Sequence, residues 1–163
     1  MFCKKLLYAP LLYGGDVMPL SIANDTLYYK WQIKLWEFFE SKKDWEFIWK
    51  AIPRSCHTKD PFQLKKSDNI RYSSGNLNEE MKNVEMVYLD YPSTPFYDAK
   101  KAGKMVLCTV LFGKEYLREN VEGIYISESF EDSLDRLDRF LEGEFVYGLN
   151  LIQNKVNWEE IVL

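Results

Sequence analysis

The residues best suited to chemistry in this sequence are a cysteine beside the single histidine and a series of carboxylates in the last third of the chain. Cys56 directly precedes His57. A thiol next to an imidazole can act as a nucleophile, but consecutive side chains on an extended backbone point to opposite sides. The sequence therefore predicts a solvated loop at this position and assigns no catalytic residue.

The carboxylates follow helical spacing. One row recurs at intervals of four, three and four residues: Glu131, Asp135, Asp138 and Glu142. At about 100° per residue such a row forms a narrow stripe on one helix face. A second row with the same spacing is apolar and predicts the buried face of the same helix: Phe130, Leu134, Leu137 and Leu141.

The charges of this helix do not all balance within it. Asp132 with Arg136, and Asp135 with Arg139, can form pairs worth about 0.3–0.5 kcal/mol each. The other carboxylates carry a local penalty that a cationic partner would offset. We expect a partner-binding surface made of six residues: Glu128, Glu131, Asp132, Asp135, Asp138 and Glu142. The plainer alternative is an ordinary water-facing helix.

Other sites receive less support from the sequence. It contains neither GxxxxGK[ST] nor GxGxxG, and no His, Cys or carboxylate cluster with metal-ligand spacing. No cofactor and no metal site are therefore predicted. Basic residues with interleaved aromatics over 54–72 indicate the alternative function, a nucleic-acid-associated or phage-encoded regulatory protein, which Asp60 and Asp68 weaken. These residues are Arg54, His57, Lys59, Phe62, Lys65, Lys66, Arg71 and Tyr72.

The overall composition is that of one globular domain spanning 1–163, with 47% hydrophobic and 16% aromatic residues. No apolar run approaches the roughly 18 residues that span a bilayer, so no membrane partner is expected. Three scattered cysteines, Cys3, Cys56 and Cys108, suit reduced thiols, so the expected compartment is the cytoplasm. The sequence does not determine an oligomeric state.

The elements that must position these residues follow from periodicity and turn signals. Helices are predicted over 25–40 with Asp25 as the cap, from Asp44 to Pro53, and over the acidic segment with Ser127 or Ser129 as its cap. Strands are predicted over 5–13, 70–72, 84–91, 104–112, 123–127 and 144–152. Together they predict an α+β fold, with a mixed or mostly antiparallel sheet of about five or six strands and helices mainly on one face.

The acidity is concentrated toward the carboxyl-terminal end. Residues 1–114 hold 17 Lys and Arg against 13 Asp and Glu, whereas residues 115–163 hold 4 against 12. In its acidity, its aromatic content and its lack of a catalytic motif, the chain resembles the immunity proteins of bacterial polymorphic-toxin and contact-dependent inhibition systems. That resemblance implies a non-catalytic inhibitor that occludes a cognate basic protein toxin, such as a nuclease. It rests on no motif and transfers no residue.

Overall fold

The computed structural model describes residues 4–11, 24–50, 61–114, 117 and 121–144. Six strands lie in these ranges: β1 Lys4–Ala9, β2 Trp45–Lys50, β3 Ile70–Ser73, β4 Met86–Leu89, β5 Met105–Val110 and β6 Ile124–Ile126. Four α-helices accompany them: α1 Asp25–Ser41, α2 Leu77–Lys82, α3 Thr94–Lys101 and α4 Phe130–Leu141. A 3-10 turn covers Pro61–Leu64.

All six strands are parallel and form one sheet in the order β3-β2-β1-β4-β5-β6. The predicted mixed or mostly antiparallel sheet is therefore wrong, and the fold is α/β. The physical reason is that successive strands are joined by long crossovers, several with a helix, which return each strand in the same direction. The nearly continuous apolar strands, such as KKLLYA and MVLCTV, match the pattern of a parallel sheet covered on both sides.

The helices cover both faces of the sheet, so the expectation that they lie mainly on one face is also wrong. Successive side chains of each strand point to opposite faces of the sheet and so belong to two separate cores. Tyr8 and Trp49 point to the face that packs against α1 and α4, whereas Ile48 and Val87 point to the face that packs against α2 and α3. The two-sided burial requires the three-layer arrangement that an α/β fold provides.

The segment after Asp44 is strand β2, whereas its spacing predicted a helix. Trp45, Phe47 and Trp49 alternate onto the α1 face, which is the period of a strand. β2 pairs with β1 on one side and β3 on the other, so its backbone N–H and C=O groups are hydrogen-bonded. Bulky aromatic side chains pack well on the surface of such a sheet. Tertiary pairing thus decided an ambiguous apolar run.

Aromatic residues fill the larger core, as predicted for the tryptophans. Trp31, Trp36, Trp45 and Trp49 are all buried. Phe39 stacks on Phe47 with ring centroids 4.1 Å apart, and Trp49 stacks on Phe62 at 4.6 Å. Stacked pairs of this kind contribute about 0.5–1.5 kcal/mol beyond the area they bury.

The other predicted elements are confirmed where the structure describes them. These are the first strand, α1, the strands near 70, 86, 105 and 124, and α4 with Ser129 as its cap. The predicted cap of α1, Asp25, is wrong: Asn24 caps this helix, because its side chain accepts from the N–H groups of Thr26 and Leu27. The predicted strand over 144–152 lies almost wholly outside the described residues. Of the helices described, none combines the length and apolar character needed to cross a bilayer.

Candidate functional site

The strand order creates one special position in the sheet. β1 and β4 are hydrogen-bonded neighbours, but the chain leaves β1 toward β2 and leaves β4 toward β5, in opposite directions across the sheet. In open parallel sheets the crossovers diverge at such a switch point and leave a crevice outside the carboxyl ends of the two strands. Here those ends are Ala9 and Leu89.

A buried carboxylate lies at this position. Asp90 follows β4 directly and has 3% of its surface exposed. Its Oδ2 accepts hydrogen bonds from the hydroxyls of Tyr28, at 2.7 Å, and of Tyr8, and its Oδ1 accepts one from Trp31 Nε1 at 2.9 Å. Its protein partners thus come from β1 and α1, so the carboxylate joins the two elements that border the crevice.

The tyrosines carry the network further. Tyr28 Oη accepts a hydrogen bond from the backbone N–H of Leu11 at 2.7 Å, just after β1. Gln32 Nε2 donates to Tyr28 Oη at 3.0 Å and to Tyr8 Oη at 3.2 Å. On the neighbouring strand, the hydroxyls of Tyr88 and Thr109 lie 2.6 Å apart and extend the buried polar layer toward β5.

Burial raises the pKa of Asp90 to about 6, although the hydrogen bonds from Tyr8, Tyr28 and Trp31 oppose that rise. Among the described residues these donors are all neutral, so no cation compensates the charge. Burial also raises the pKa of Tyr8 and of Tyr88 well above the ordinary value for tyrosine, and Asp90 adds to both effects. A carboxyl group with a strongly perturbed pKa at a sheet's switch point is a functional-site candidate.

The first turn of α3 faces the same edge of the sheet. Ser93 is its N-cap residue but makes no side-chain capping hydrogen bond, and Thr94 is exposed. Pro95 follows within the first turn. Pro95 has no N–H, and the Phe96 N–H donates to the Ser93 carbonyl at 2.8 Å. Thr94 therefore supplies the N–H of this first turn that can meet an anion, together with the partial positive charge of the helix end.

Aromatic rings lie beside α1 at this edge of the sheet. Phe112, just after β5, makes an edge contact with Tyr28 at 6.2 Å, and Phe130 lies 5.5 Å from Trp31. Both phenylalanines are only partly buried. The carboxyl ends of β1, β4 and β5 therefore combine a polar interior with a partly exposed apolar rim.

A separate charged cluster lies at the ends of β2 and β3. Glu80 accepts both guanidinium nitrogens of Arg71, at 2.7 and 3.1 Å, and also the Ser73 hydroxyl. The hydrogen bonds from Arg71 are the main cause that lowers the pKa of Glu80. Lys50 is buried on the same side of the sheet. Burial lowers the pKa of Lys50, whereas the negative charge of Glu80 raises it. We interpret this cluster as a tie between α2 and the sheet.

The six residues of the predicted acidic surface all lie on or beside α4, and four of them form ion pairs. Glu131 pairs with Lys34 at 3.1 Å and Asp138 pairs with Lys42, so two lysines of the α1 segment meet the stripe. Asp132 pairs with Arg136 at 3.1 Å, as predicted, and Glu128 pairs with Lys114 at 3.3 Å. Much of the charge that suggested a basic partner is thus matched within the chain.

Asp135 and Glu142 remain exposed on the surface of α4. Asp135 raises the pKa of Arg139 together with Glu144, which is the main cause of that rise and lies 2.6 Å from Arg139 Nε. The predicted role of the stripe in binding a partner stays a prediction.

The remaining predicted candidates lie mostly outside the described residues. Cys56 and His57 are in the segment 51–60, as are Arg54 and Lys59 of the basic patch. Of the patch residues that are described, Arg71 pairs with Glu80, and Lys65 lies 5.3 Å from the ring of Trp36. The described residues contain no group of three or more His, Cys, Asp or Glu placed to hold a metal ion.

Sequence reasoning missed Asp90 and α3. The available signals were a carboxylate directly after the apolar run VEMVYL, and the order Ser93-Thr94-Pro95, which is typical of a helix start. Only the strand order shows that both signals fall at the switch point. Compared with known proteins, the chain matches no family model, no curated protein and no solved structure at a significant level.

Proposed function

We propose that this chain is a nucleotide-binding α/β domain that holds its ligand at the carboxyl ends of β1 and β4. The observation that carries the proposal is the parallel strand order β3-β2-β1-β4-β5-β6, with a buried polar network at its switch point. This order is the one in which doubly wound domains bind nucleotides in the crevice beside the switch point.

The first turn of α3 is the best position for the phosphate groups. Of the four described α-helices, the other three carry acidic residues in the first turn and an N-cap side chain that already accepts backbone N–H groups. α3 has neither. Its backbone N–H of Thr94 and the hydroxyls of Ser93 and Thr94 would therefore meet an anion without competition from a neighbouring carboxylate.

The mode of binding differs from that of a dinucleotide fingerprint. The sequence lacks GxGxxG, and the residues directly after β1 are Pro10 and Leu11. Because the fingerprint after β1 is absent, we place phosphate recognition after β4, at the start of α3. The partly exposed Phe112 and Phe130 supply an apolar surface of the kind on which a base or another planar ring can stack.

The test is binding of nucleoside mono-, di- and triphosphates, measured by saturation-transfer NMR and calorimetry. Thr94→Glu places a carboxylate at the first turn of α3, where the helix dipole tolerates it but a phosphate is repelled. We expect affinity to fall at least about tenfold, a difference of about 1.4 kcal/mol. The matched control is Asn78→Glu, which puts the same charge in the exposed first turn of α2.

Two results would contradict the proposal. One is wild-type protein that binds no nucleotide at concentrations of about 1 mM, the weak end of the ordinary affinity range. The other is equal loss of affinity in both glutamate variants, because a charge on α2 lies away from the switch point.

A toxin-inhibitor function is a second proposal, favoured by the exposure of Asp135 and Glu142 on α4. These two carboxylates are separate from the α1–α4 ion pairs, so Asp135→Lys with Glu142→Lys changes the surface charge without breaking those pairs. We expect slower association with a basic partner and little loss of stability. Unchanged association rates with a captured basic partner would remove this proposal.

A further inference from the structure

Each group in the hydrogen-bond network around Asp90 can donate and accept only a limited number of hydrogen bonds. An ionised carboxylate only accepts, and a tyrosine hydroxyl has one proton to donate and two lone pairs. With Asp90 ionised, Tyr28 donates its proton to Asp90 and uses its lone pairs for Leu11 N–H and Gln32 Nε2–H. Tyr8 likewise donates to Asp90 and accepts from Gln32. The Leu11 N–H also faces Asp90 and favours its ionised form. With Asp90 ionised, these contacts can all exist together.

Protonation of Asp90 leaves more hydrogen-bond donors than available lone pairs around Tyr28. Oδ1 faces the Trp31 N–H, which cannot accept, so the new O–H on Oδ2 must point at Tyr28 or Tyr8. If Tyr28 accepts it, three donors compete for two lone pairs, while its own proton turns to the Leu11 carbonyl at 3.4 Å. If Tyr8 accepts it, the displaced Tyr8 proton turns to Tyr28 at 3.4 Å, and Tyr28 is again offered three donors. Gln32 is fully buried whereas Leu11 is partly exposed, so the Leu11 N–H is the donor that water can satisfy and the one that is released.

We infer that Asp90 and Tyr28 act as a proton-controlled latch on the backbone that leaves β1: ionised Asp90 lets Tyr28 hold the Leu11 N–H, and protonation releases it. Leu11 lies just after the carboxyl end of β1, at the edge of the sheet that holds the switch point. The latch therefore regulates the site of the proposed function and rests on that function for its biological role. Asp90 is a positioning residue, since it is buried and acts through Tyr28.

Four other titratable groups of the described residues face Asp90. They are Tyr8 on β1, Tyr28 on α1, Tyr88 on β4 and Cys108 on β5. Burial raises the pKa of Tyr8, Tyr88 and Cys108 well above their ordinary values, so these three stay neutral across the range in which Asp90 titrates. The described residues place no cation against the carboxylate.

The test is hydrogen exchange of the Leu11 amide in the ligand-free protein, corrected for the intrinsic effect of pH. At about pH 5, one unit below the pKa of about 6, roughly a tenth of Asp90 is ionised. Exchange proceeds from the protonated form, whose fraction rises from about 3% at about pH 7.5 to about 90% at about pH 5, so protection of Leu11 should fall by roughly thirtyfold. The Leu7 amide within β1 serves as the internal reference and should change much less.

Two tyrosine variants form a matched pair, because both hydroxyls donate to the same carboxylate oxygen but only one holds Leu11. Tyr28→Phe should remove the extra protection of Leu11 at both pH values. Tyr8→Phe should keep that protection at neutral pH. Asp90→Asn should abolish its pH dependence. Circular dichroism verifies that each variant remains folded.

The latch is wrong if wild-type Leu11 protection does not change with pH, or if Tyr8→Phe and Tyr28→Phe expose Leu11 equally. Neither outcome involves a nucleotide, so the latch and the proposed nucleotide binding can fail separately. If both hold, nucleotide affinity should weaken as the pH falls through about 6, and Asp90→Asn should show no such step.

Discussion

Asp90 shows how one residue can link fold and function. Its three side-chain donors are neutral, so burial dominates and the carboxylate titrates near pH 6, well above an exposed aspartate. An apolar residue or an amide at this position would avoid that penalty. Buried groups that lower stability in this way are concentrated at functional sites, because function and stability impose different demands.

The raised pKa has a defined effect on stability. The folded state binds the Asp90 proton more tightly than the unfolded chain, so its contribution is fully present below the unfolded value of 3.8. It is lost as pH rises through the folded value of about 6, and the whole change is about 3 kcal/mol. The stability of the wild type relative to Asp90→Asn should fall by that order across this window in urea unfolding. A difference that stays constant with pH would contradict the buried charge.

Cys108 should behave as an inert core residue. It is fully buried on the α2 and α3 face of β5, and burial raises the pKa of its thiol well above 9.0. In a Cys3→Ser, Cys56→Ser variant we expect no labelling by a thiol reagent in the native state and full labelling in denaturant. Rapid native labelling would show that β5 is open to solvent.

Among the secondary-structure elements, three of the four described α-helices have a side chain that caps the N-terminus, and α3 has none. Asn24 accepts from the backbone of Thr26 and Leu27, and Ser129 accepts from Asp132. Ser93 makes no such bond. Asn24→Ala and Ser129→Ala should each lower the free energy of unfolding by about 1 kcal/mol, whereas Ser93→Ala should lower it by much less. Equal losses for all three would give Ser93 a structural role.

The contact between α1 and α4 depends on apolar packing more than on its ion pairs. Lys34 and Glu131 have 45% and 72% of their side chains exposed, so solvent screens the pair. A double-mutant cycle with Lys34→Ala and Glu131→Ala should give a coupling energy of about 0.2–1 kcal/mol, falling with added salt. A coupling well above that range would mean that the acidic stripe is chiefly an internal structural device.

For the molecule as a whole, stability should be greatest at the centre of the sheet. β1 and β4 each pair with a strand on both sides, and the side chains that they contribute to the two cores are almost fully excluded from solvent. β6 is short, and Ile126 is 42% exposed. Hydrogen exchange should therefore be slowest for Leu7 and Val87 and faster for Tyr125. Faster exchange in β1 than in β6 would contradict the central position of the switch-point strands.

Most elements could be predicted from the sequence because their signals are local. The apolar run over 104–112 and the two rows of α4 depend only on neighbouring residues, and both elements are confirmed. The helix predicted from Asp44 is wrong, because the spacing of Trp45, Ile48 and Trp49 fits a helix face as well as a strand. Only the presence of β1 and β3 on either side decided between them.

The sequence by itself determined where most apolar runs lie, the cap of α4, and the concentration of acidic residues near the carboxyl-terminal end. The tertiary structure alone decided the strand order, the parallel direction and the matching of Glu131 and Asp138 by lysines of the α1 segment. It alone also brought Asp90 to Tyr8 and Tyr28, which lie 82 and 62 residues away in sequence. Such contacts depend on how crossovers stack the strands, which no short sequence window records.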